Sequence, residues 1–304
     1  HSSISGTVTL SGAGVLNNLS GAQISSATIG VVGTNQTFSN AGAIFGNDVT
    51  GTGVSFSNGG SIYNAATGTI KGRVGVSLAG AAGTITNLGT IHGAGSFAAG
   101  LAQGGYIHNQ GTSSKISSGA LGVYVKGATA AIINEGTISA SASYGIGVQL
   151  ELGGSINNSG LISGLSKGVY FAFGAGTINN SGTISGSVGV LGSYLVIDDT
   201  IVNSGAIVGN GGTAVSFGGG NDLLQIDTGA SFTGIVDGGT GTDTLEFLAS
   251  SNGSLTNTFT NFEIAKLDSA ANWTLGGDNS FVTINNAGTL TTAGALSDTG
   301  TSIN

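Results

Sequence analysis

The chain has 304 residues, of which 59 are Gly and none is Pro, Cys or Met; only 7% are charged, and the net charge is −8. Typical chains carry about 25% charged residues, so an ordinary globular enzyme is a poor fit, and no stretch approaches the ~20 apolar residues of a spanning helix. Without Cys there are no disulfides or thiolate metal sites, and no basic stripe is present to hold a nucleic acid. Residues 1–20 lack the basic start and continuous apolar core of a signal peptide. The chain begins at His1 rather than Met, so the expectation is an internal piece of something larger. Ile, Val, Leu and Phe are too frequent and too regularly placed for disorder.

From the N-terminus onward one pattern recurs: an aliphatic residue, any residue, Asn, a short Gly-containing step, then Ile and a small residue. Weaker copies hold Asn18, Asn40, Asn64, Asn109 and Asn134, and in chain order Asn18, Asn40 and Asn64 come first. Asn87 and Asn109 follow, then Asn134, Asn158, Asn180 and Asn203, with every gap between 22 and 25 residues. A fixed period of this length marks a solenoid. A second signal runs out of phase: Gly53-Val-Ser-Phe56, Gly75-Val-Ser-Leu78, Gly122-Val-Tyr-Val125 and Gly168-Val-Tyr-Phe171. Each alternates apolar and non-apolar, as a strand with one buried face does.

Each coil therefore has three short strands: one before the Asn, one after the Gly and one at the Gly-Val segment. No coil has room for a helix, and β-branched residues dominate the apolar positions. One coil cannot bury its own apolar face, so equivalent strands of adjacent coils must pair in parallel about 4.8 Å apart. The expected fold is all-β: a right-handed parallel β-helix of about ten coils of roughly 23 residues, and the roughly thirteen coils' worth of sequence in the whole chain would give a rod on the order of 60 Å long. Ile44, Ile70, Ile91, Ile116, Ile138, Ile162, Ile184 and Ile207 form the expected inward ladder. The Asn residues form a second column. It is expected at a bend, because Asn tolerates left-handed backbone and stacked amides can bond from coil to coil. Asp227 is expected to continue it.

After Asn203 the rhythm loosens. Three segments are expected: regular coils over 1–217, Gly/Asp-rich irregular coils over 218–261, and C-terminal coils over 262–304. Charge divides along a similar line. Residues 198–304 hold Lys266 against eleven acids, whereas residues 1–197 hold five cations and three acids.

These residues resemble a family. The repeats are similar to passenger domains of Gram-negative autotransporters, which are right-handed parallel β-helices. Gly218-Gly-Gly-Asn-Asp-Leu-Leu-Gln-Ile226 and Gly234-Ile-Val-Asp-Gly-Gly-Thr-Gly-Thr-Asp-Thr-Leu245 share the likeness. Phe262-Glu263 with Leu267, and Asn272-Trp273-Thr-Leu275, resemble the capping, autochaperone-like stretch that precedes the membrane barrel of such proteins. The resemblance implies a surface-displayed, non-catalytic structural or adhesive domain that mediates adhesion or cell–cell aggregation. It also implies an extracellular location at the bacterial cell surface. Implied partners are surface molecules of host or neighbouring cells, or further copies of itself. The membrane would be reached only through a C-terminal barrel that this chain lacks, and no cofactor is implied.

Few residues offer chemistry. Gly238-Gly-Thr-Gly-Thr-Asp243-Thr-Leu245 matches a calcium nonapeptide, and Gly218, Gly220, Asp222 and Leu224 give an offset copy. Asp222 and Asp243 are thus weak calcium candidates, but such sites need repeats nine residues apart, and structural Gly-Asp turns are the expectation. His92 and His108 flank inward Ile91 and Ile107 and are expected to face solvent, in different columns. Asp198-Asp199, the only adjacent acid pair, is expected in a solvated turn, and Lys266 is the sole base of the acidic part. A carbohydrate-active β-helix enzyme, the rival reading, would need acids and a base converging in a groove. An ice-binding solenoid would need unbroken Thr-x-Ser columns, and Lys71, His92 and Leu161 interrupt them. Tyr124 and Tyr170 are candidate partner contacts in one outward column, with Gly147 expected between them.

Overall fold

The computed structural model describes residues 2–11 and 15–300. Among these there is no helix and every named strand pairing is parallel. The coil around Asn134 shows the unit. Its first strand, Ala130–Asn134, buries Ala130, Ile132 and Asn134; Thr137–Ala140 buries Ile138 and Ala140; Ile146–Leu150 buries all but Gln149. Side chains alternate across a strand, so each short segment drives its aliphatic residues into one shared core. Stacked, these units make a parallel β-solenoid of right-handed type with about 12 turns of about 22 residues. The count exceeds ten because ten coils of roughly 23 residues would span only about 230 residues, and the stacking continues through the C-terminal third to the strand Leu296–Asp298, in turns as short as the 20-residue step from Asp243 to Glu263.

The strands that end in the ladder Asn belong to a 13-stranded sheet, which their apolar-ended counterparts continue beyond Asn203. The Ile and Gly-Val strands together form a 20-stranded sheet that folds around the other side of the core. The Ile ladder runs in strict register through Ile44, Ile70, Ile91, Ile116, Ile138, Ile162, Ile184 and Ile207, each fully buried. The glycines of the second signal make room for it. A Cβ on Gly53, Gly75, Gly122, Gly147, Gly168 or Gly189 would lie 2.6–2.8 Å from the Cγ2 of an Ile in the following coil. Glycine there reflects close packing, and the backbone at these positions is ordinary.

The Asn column lies inside the solenoid, at the last residue of each strand. From Asn18 to Asn203 each Nδ2 donates to the Oδ1 of the next Asn at 2.8 Å. Nδ2 also reaches backbone carbonyls, such as Gly89 O from Asn87 at 3.1 Å and Gly136 O from Asn134 at 3.2 Å. A buried amide carries two donors and an acceptor, all of which need partners, and the stack supplies them. The expected left-handed backbone is absent: the non-glycine residues with positive φ are Asn35, Ser250, Asn261 and Ala270. The ladder needs Asn for its two-sided amide in extended backbone rather than for conformational tolerance.

Two further expectations change after Asn203. Asn203 pairs with Ile226, which takes the column position as a buried apolar residue, and Asp227 lies one residue beyond at partial exposure. The polar ladder therefore stops at Asn203, and large side chains fill the interior beyond it. Phe217, Phe247, Phe259, Phe262, Trp273 and Phe281 are all buried. Phe247 and Trp273 stand 5.3 Å apart, Phe217 meets Phe262 edge-on at 6.2 Å, and Trp273 Nε1 donates to Ser251 Oγ at 2.8 Å. The glycine at 253 makes space for the indole, since a Cβ there would lie 2.5 Å from it.

Candidate functional site

Four residues before each ladder Asn stands another column. It holds glycines at 60, 83, 105, 154 and 176, broken by Ala130. From Asp199 onward the same column carries acids. Asp199 Oδ1 accepts the Gly176 amide at 2.6 Å, Asp222 Oδ1 accepts the Asp199 amide at 2.6 Å, and Asp243 Oδ1 accepts the Asp222 amide at 2.7 Å. Glu263 Oε2 closes the series on the Asp243 amide at 2.7 Å. Each carboxyl thus replaces a strand hydrogen bond at the entry to its coil.

Asp199, Asp222 and Asp243 are 2%, 1% and 0% exposed, and the Oδ2 of each has no hydrogen-bond partner. A buried ionised carboxylate is costly unless paired. Burial therefore dominates their titration. It pushes Asp199 up to about 6 against the pull of the Gly176 and Ser193 amides. Asp222 rises to about 7, first through burial, with the charges of Asp199, Asp243 and Asp198 adding to it. Asp243 is raised for the same first reason, with Glu263, Asp237 and Asp198 contributing. The rise of Asp199 and Asp222, with Asp243 shifted in the same direction, is the most perturbed electrostatic feature among the described residues.

These acids include both weak calcium candidates. Asp222 and Asp243 turn inward onto backbone amides, and among the described residues no group of three or more His, Cys, Asp or Glu is arranged to hold a metal ion. Asp199 belongs to the column as well, which corrects its placement in a solvated turn; Asp198 alone is exposed. Asp198 Oδ1 accepts the Asn221 amide at 2.7 Å. The D-x-aliphatic spacing at Asp199, Asp222 and Asp243, with steps of 23 and 21 residues, was the signal that would have joined them.

The remaining candidates are spread over the outer faces. His92 and His108 lie in different sheets, and both are half-buried and bonded instead of freely solvated. His92 Nδ1 sits 3.0 Å from Ser117 Oγ, and His108 Nε2 sits 3.0 Å from Glu135 Oε1. The Gly111 amide and His108 together hold the Glu135 carboxyl below its ordinary value. Lys266 pairs with Glu246 and with Asp268 at 2.8 Å, while Gln225 Nε2 donates to Glu246 at 2.6 Å. That acid–base cluster is closed on itself. Strand register puts Lys71, His92, Ser117, Ser139, Ser163 and Ser185 in one outward column and Leu161 beside Thr137 and Thr183 in the other.

Tyr124 and Tyr170 do share an outward column, but Gln149 stands between them, and Gly147 packs inward. Tyr124 turns to Phe97 in the preceding coil, with ring centroids 6.0 Å apart, and donates its hydroxyl to Glu151. Tyr170 lies beneath Lys167, whose Nζ is 5.4 Å from the ring centroid. A scan against models of protein families, a search of curated proteins and a search of solved structures each found no match to this chain.

Proposed function

We propose that this chain is a non-catalytic adhesive passenger domain of a Gram-negative autotransporter, displayed on the bacterial surface and mediating adhesion or cell–cell aggregation. The observation that carries this reading is the outer face of the 13-stranded sheet. Its outward positions include Thr84 and Thr86, Ser155 and Asn157, Thr177 and Asn179. From residue 60 to 203 these positions hold no Lys, Arg, Asp or Glu. A face rich in hydroxyls and amides, interrupted by Tyr106, His108, Ile133 and Val202, suits many individually weak contacts, and its low charge offers little repulsion to a second rod laid alongside.

The sequence resemblance supports the same reading, through the coil repeat, the Gly-Asn-Asp segment at 218–226 and Asn272-Trp273-Thr-Leu275. The absence of Cys is in keeping with export, since a disulfide formed in an oxidising periplasm would obstruct an extended chain. Partners would be surface molecules of host or neighbouring cells, or the same face of another copy.

The test is aggregation and adhesion of cells displaying the full parent protein. Replacing Thr86, Asn157 and Asn179 together by Lys places like charges on the face without touching the core. Loss of aggregation with an unchanged melting curve is the expected result; undiminished aggregation and adhesion would overturn the reading.

A further inference from the structure

On the outward column of the Gly-Val strands, Ser77, Gly100 and Tyr124 follow one another in adjacent coils. Gly100 has no side chain, and the space this leaves in the column is taken by the Phe97 ring. The Phe97 ring lies back along its own strand over Gly100, where a Cβ would collide with it. Tyr124 stands in the next coil with its ring tilted 45° to that of Phe97. Together with Ser77, Ala79 and Lys126 they line a cavity of about 250 Å³. Larger hollows elsewhere differ in kind: the one of about 460 Å³ along Ser139, Ser163 and Ser185 has no aromatic or charged group in its lining.

We propose that this cavity binds a single pyranose ring of a glycan, stacked against Phe97 and Tyr124. Three features of the site select that chemistry. The volume is below the range usual for drug-sized ligands, which starts at about 300 Å³, so one ring is the scale. Two aromatic faces at fixed tilt present apolar surface to the C–H face of a sugar, and rigid aromatics lose little entropy on binding. The polar groups stand at the ring's edge. Ser77 offers a hydroxyl, Lys126 an ammonium and Tyr124 the lone pairs of an oxygen whose proton is already committed to Glu151. Burial, with Glu151 beside it, pushes the Tyr124 hydroxyl up to about 12, so it stays neutral and its ring stays anchored. A small quaternary cation is the other common guest of paired aromatics; it would gain from Glu151 and lose to Lys126, whereas a neutral sugar is indifferent to that balance.

This site lies on a different sheet from the face that carries the adhesive reading, so the two can fail separately. Its test uses the isolated chain in solution, with the methyl pyranosides of glucose, galactose and N-acetylglucosamine as probes in saturation-transfer NMR, and tetramethylammonium as the competing guest. The expected result is millimolar binding of at least one glycoside. That binding should be lost in Tyr124→Ala and in Gly100→Ser, whose added side chain would push the Phe97 ring out of its place, and weakened but retained in Tyr124→Phe, which keeps the ring. Melting curves of each variant establish that the coils are intact; because Tyr124→Phe removes only an outward hydroxyl, it remains informative should the others unfold. Absence of binding by every glycoside, binding unchanged in Gly100→Ser with intact coils, or loss of all binding in a folded Tyr124→Phe would overturn the proposal. So would tetramethylammonium displacing the sugars.

Discussion

Up to Asn203 the solenoid stacks neutral amides, and beyond it, in a different column, it stacks acids. The amide ladder is self-satisfying: each Asn gives one hydrogen to the next Asn at 2.8 Å and the other to backbone carbonyls. The acid ladder is only half satisfied, since each Oδ1 takes a backbone amide while Oδ2 of Asp199, Asp222 and Asp243 stays bare. Amides carry donor and acceptor together, so they stack without limit. Carboxylates carry only acceptors when ionised, so they stack only by capping backbone amides and only cheaply when protonated. The amide ladder therefore holds no titrating group, and the acid ladder does.

The aromatic interior offsets this weakness of the acidic part. Large rings bury more area per residue than Ser- and Ala-rich coils, and stability in a stack is a sum over coils and their neighbours. Removing residues 228–304 should therefore give a poorly folded, aggregating product, while removing residues 1–80 should leave a folded rod. Limited proteolysis checks this: digestion of the C-terminal third first, with survival of the N-terminal coils, would reverse the assignment.

A single charge in the regular part comes next in size. Ile138 is fully buried between Ile116 and Ile162. Ile138→Asp should cost more than about 3 kcal/mol, because it buries a charge with no partner. An unchanged denaturant midpoint would mean the ladder does not face the core. Asn134→Ala breaks the amide stack at both neighbours, stranding a donor of Asn109 and the acceptor of Asn158. At about 1–3 kcal/mol for each stranded group, a loss on the order of 3 kcal/mol is expected from the same unfolding curve.

The acid ladder should respond in the opposite sense. Its folded-state values are raised above those of an unfolded Asp, near 3.9. Its stabilising contribution is therefore complete below about pH 4 and is lost as pH rises through about 6 and 7, where Asp199 and Asp222 titrate. The wild-type melting temperature should fall by several degrees between pH 5 and pH 8. Asp222→Asn keeps the Oδ1 acceptor, removes the charge and should flatten that slope while raising stability at pH 8; an equally steep slope in the variant would place the titration elsewhere. The smallest effect belongs to calcium. Since Asp222 and Asp243 point inward to amides, adding calcium or a chelator should leave the melting curve and circular dichroism unchanged. A calcium-dependent rise would show these carboxyls turning outward to an ion.

Much of this was legible in the chain because a solenoid converts sequence period directly into spatial columns. Once Asn87, Asn109 and Asn134 are aligned, Ile91, Ile116 and Ile138 fall into place as inward neighbours. Legibility failed where a step of one residue matters. Counting 24 residues from Asn203 points to Asp227, yet the turn is one residue shorter and Ile226 takes the position. Likewise Gln149, not Gly147, separates the two tyrosines.

The sequence by itself determined the parallel stack, its three strands per turn and the amide ladder, because those follow from periodicity and from what a buried side chain must be. The tertiary structure alone decided the bonding of the acid column and the aromatic cavity. The shared D-x-aliphatic spacing aligns Asp199 with Asp222 and Asp243, but that each carboxyl turns inward onto an amide of the preceding coil, and that Phe97 closes over Gly100 beside Tyr124, follows only from register across irregular turns. Register depends on the exact length of each turn, and turn length is set by backbone geometry that residue types constrain only loosely.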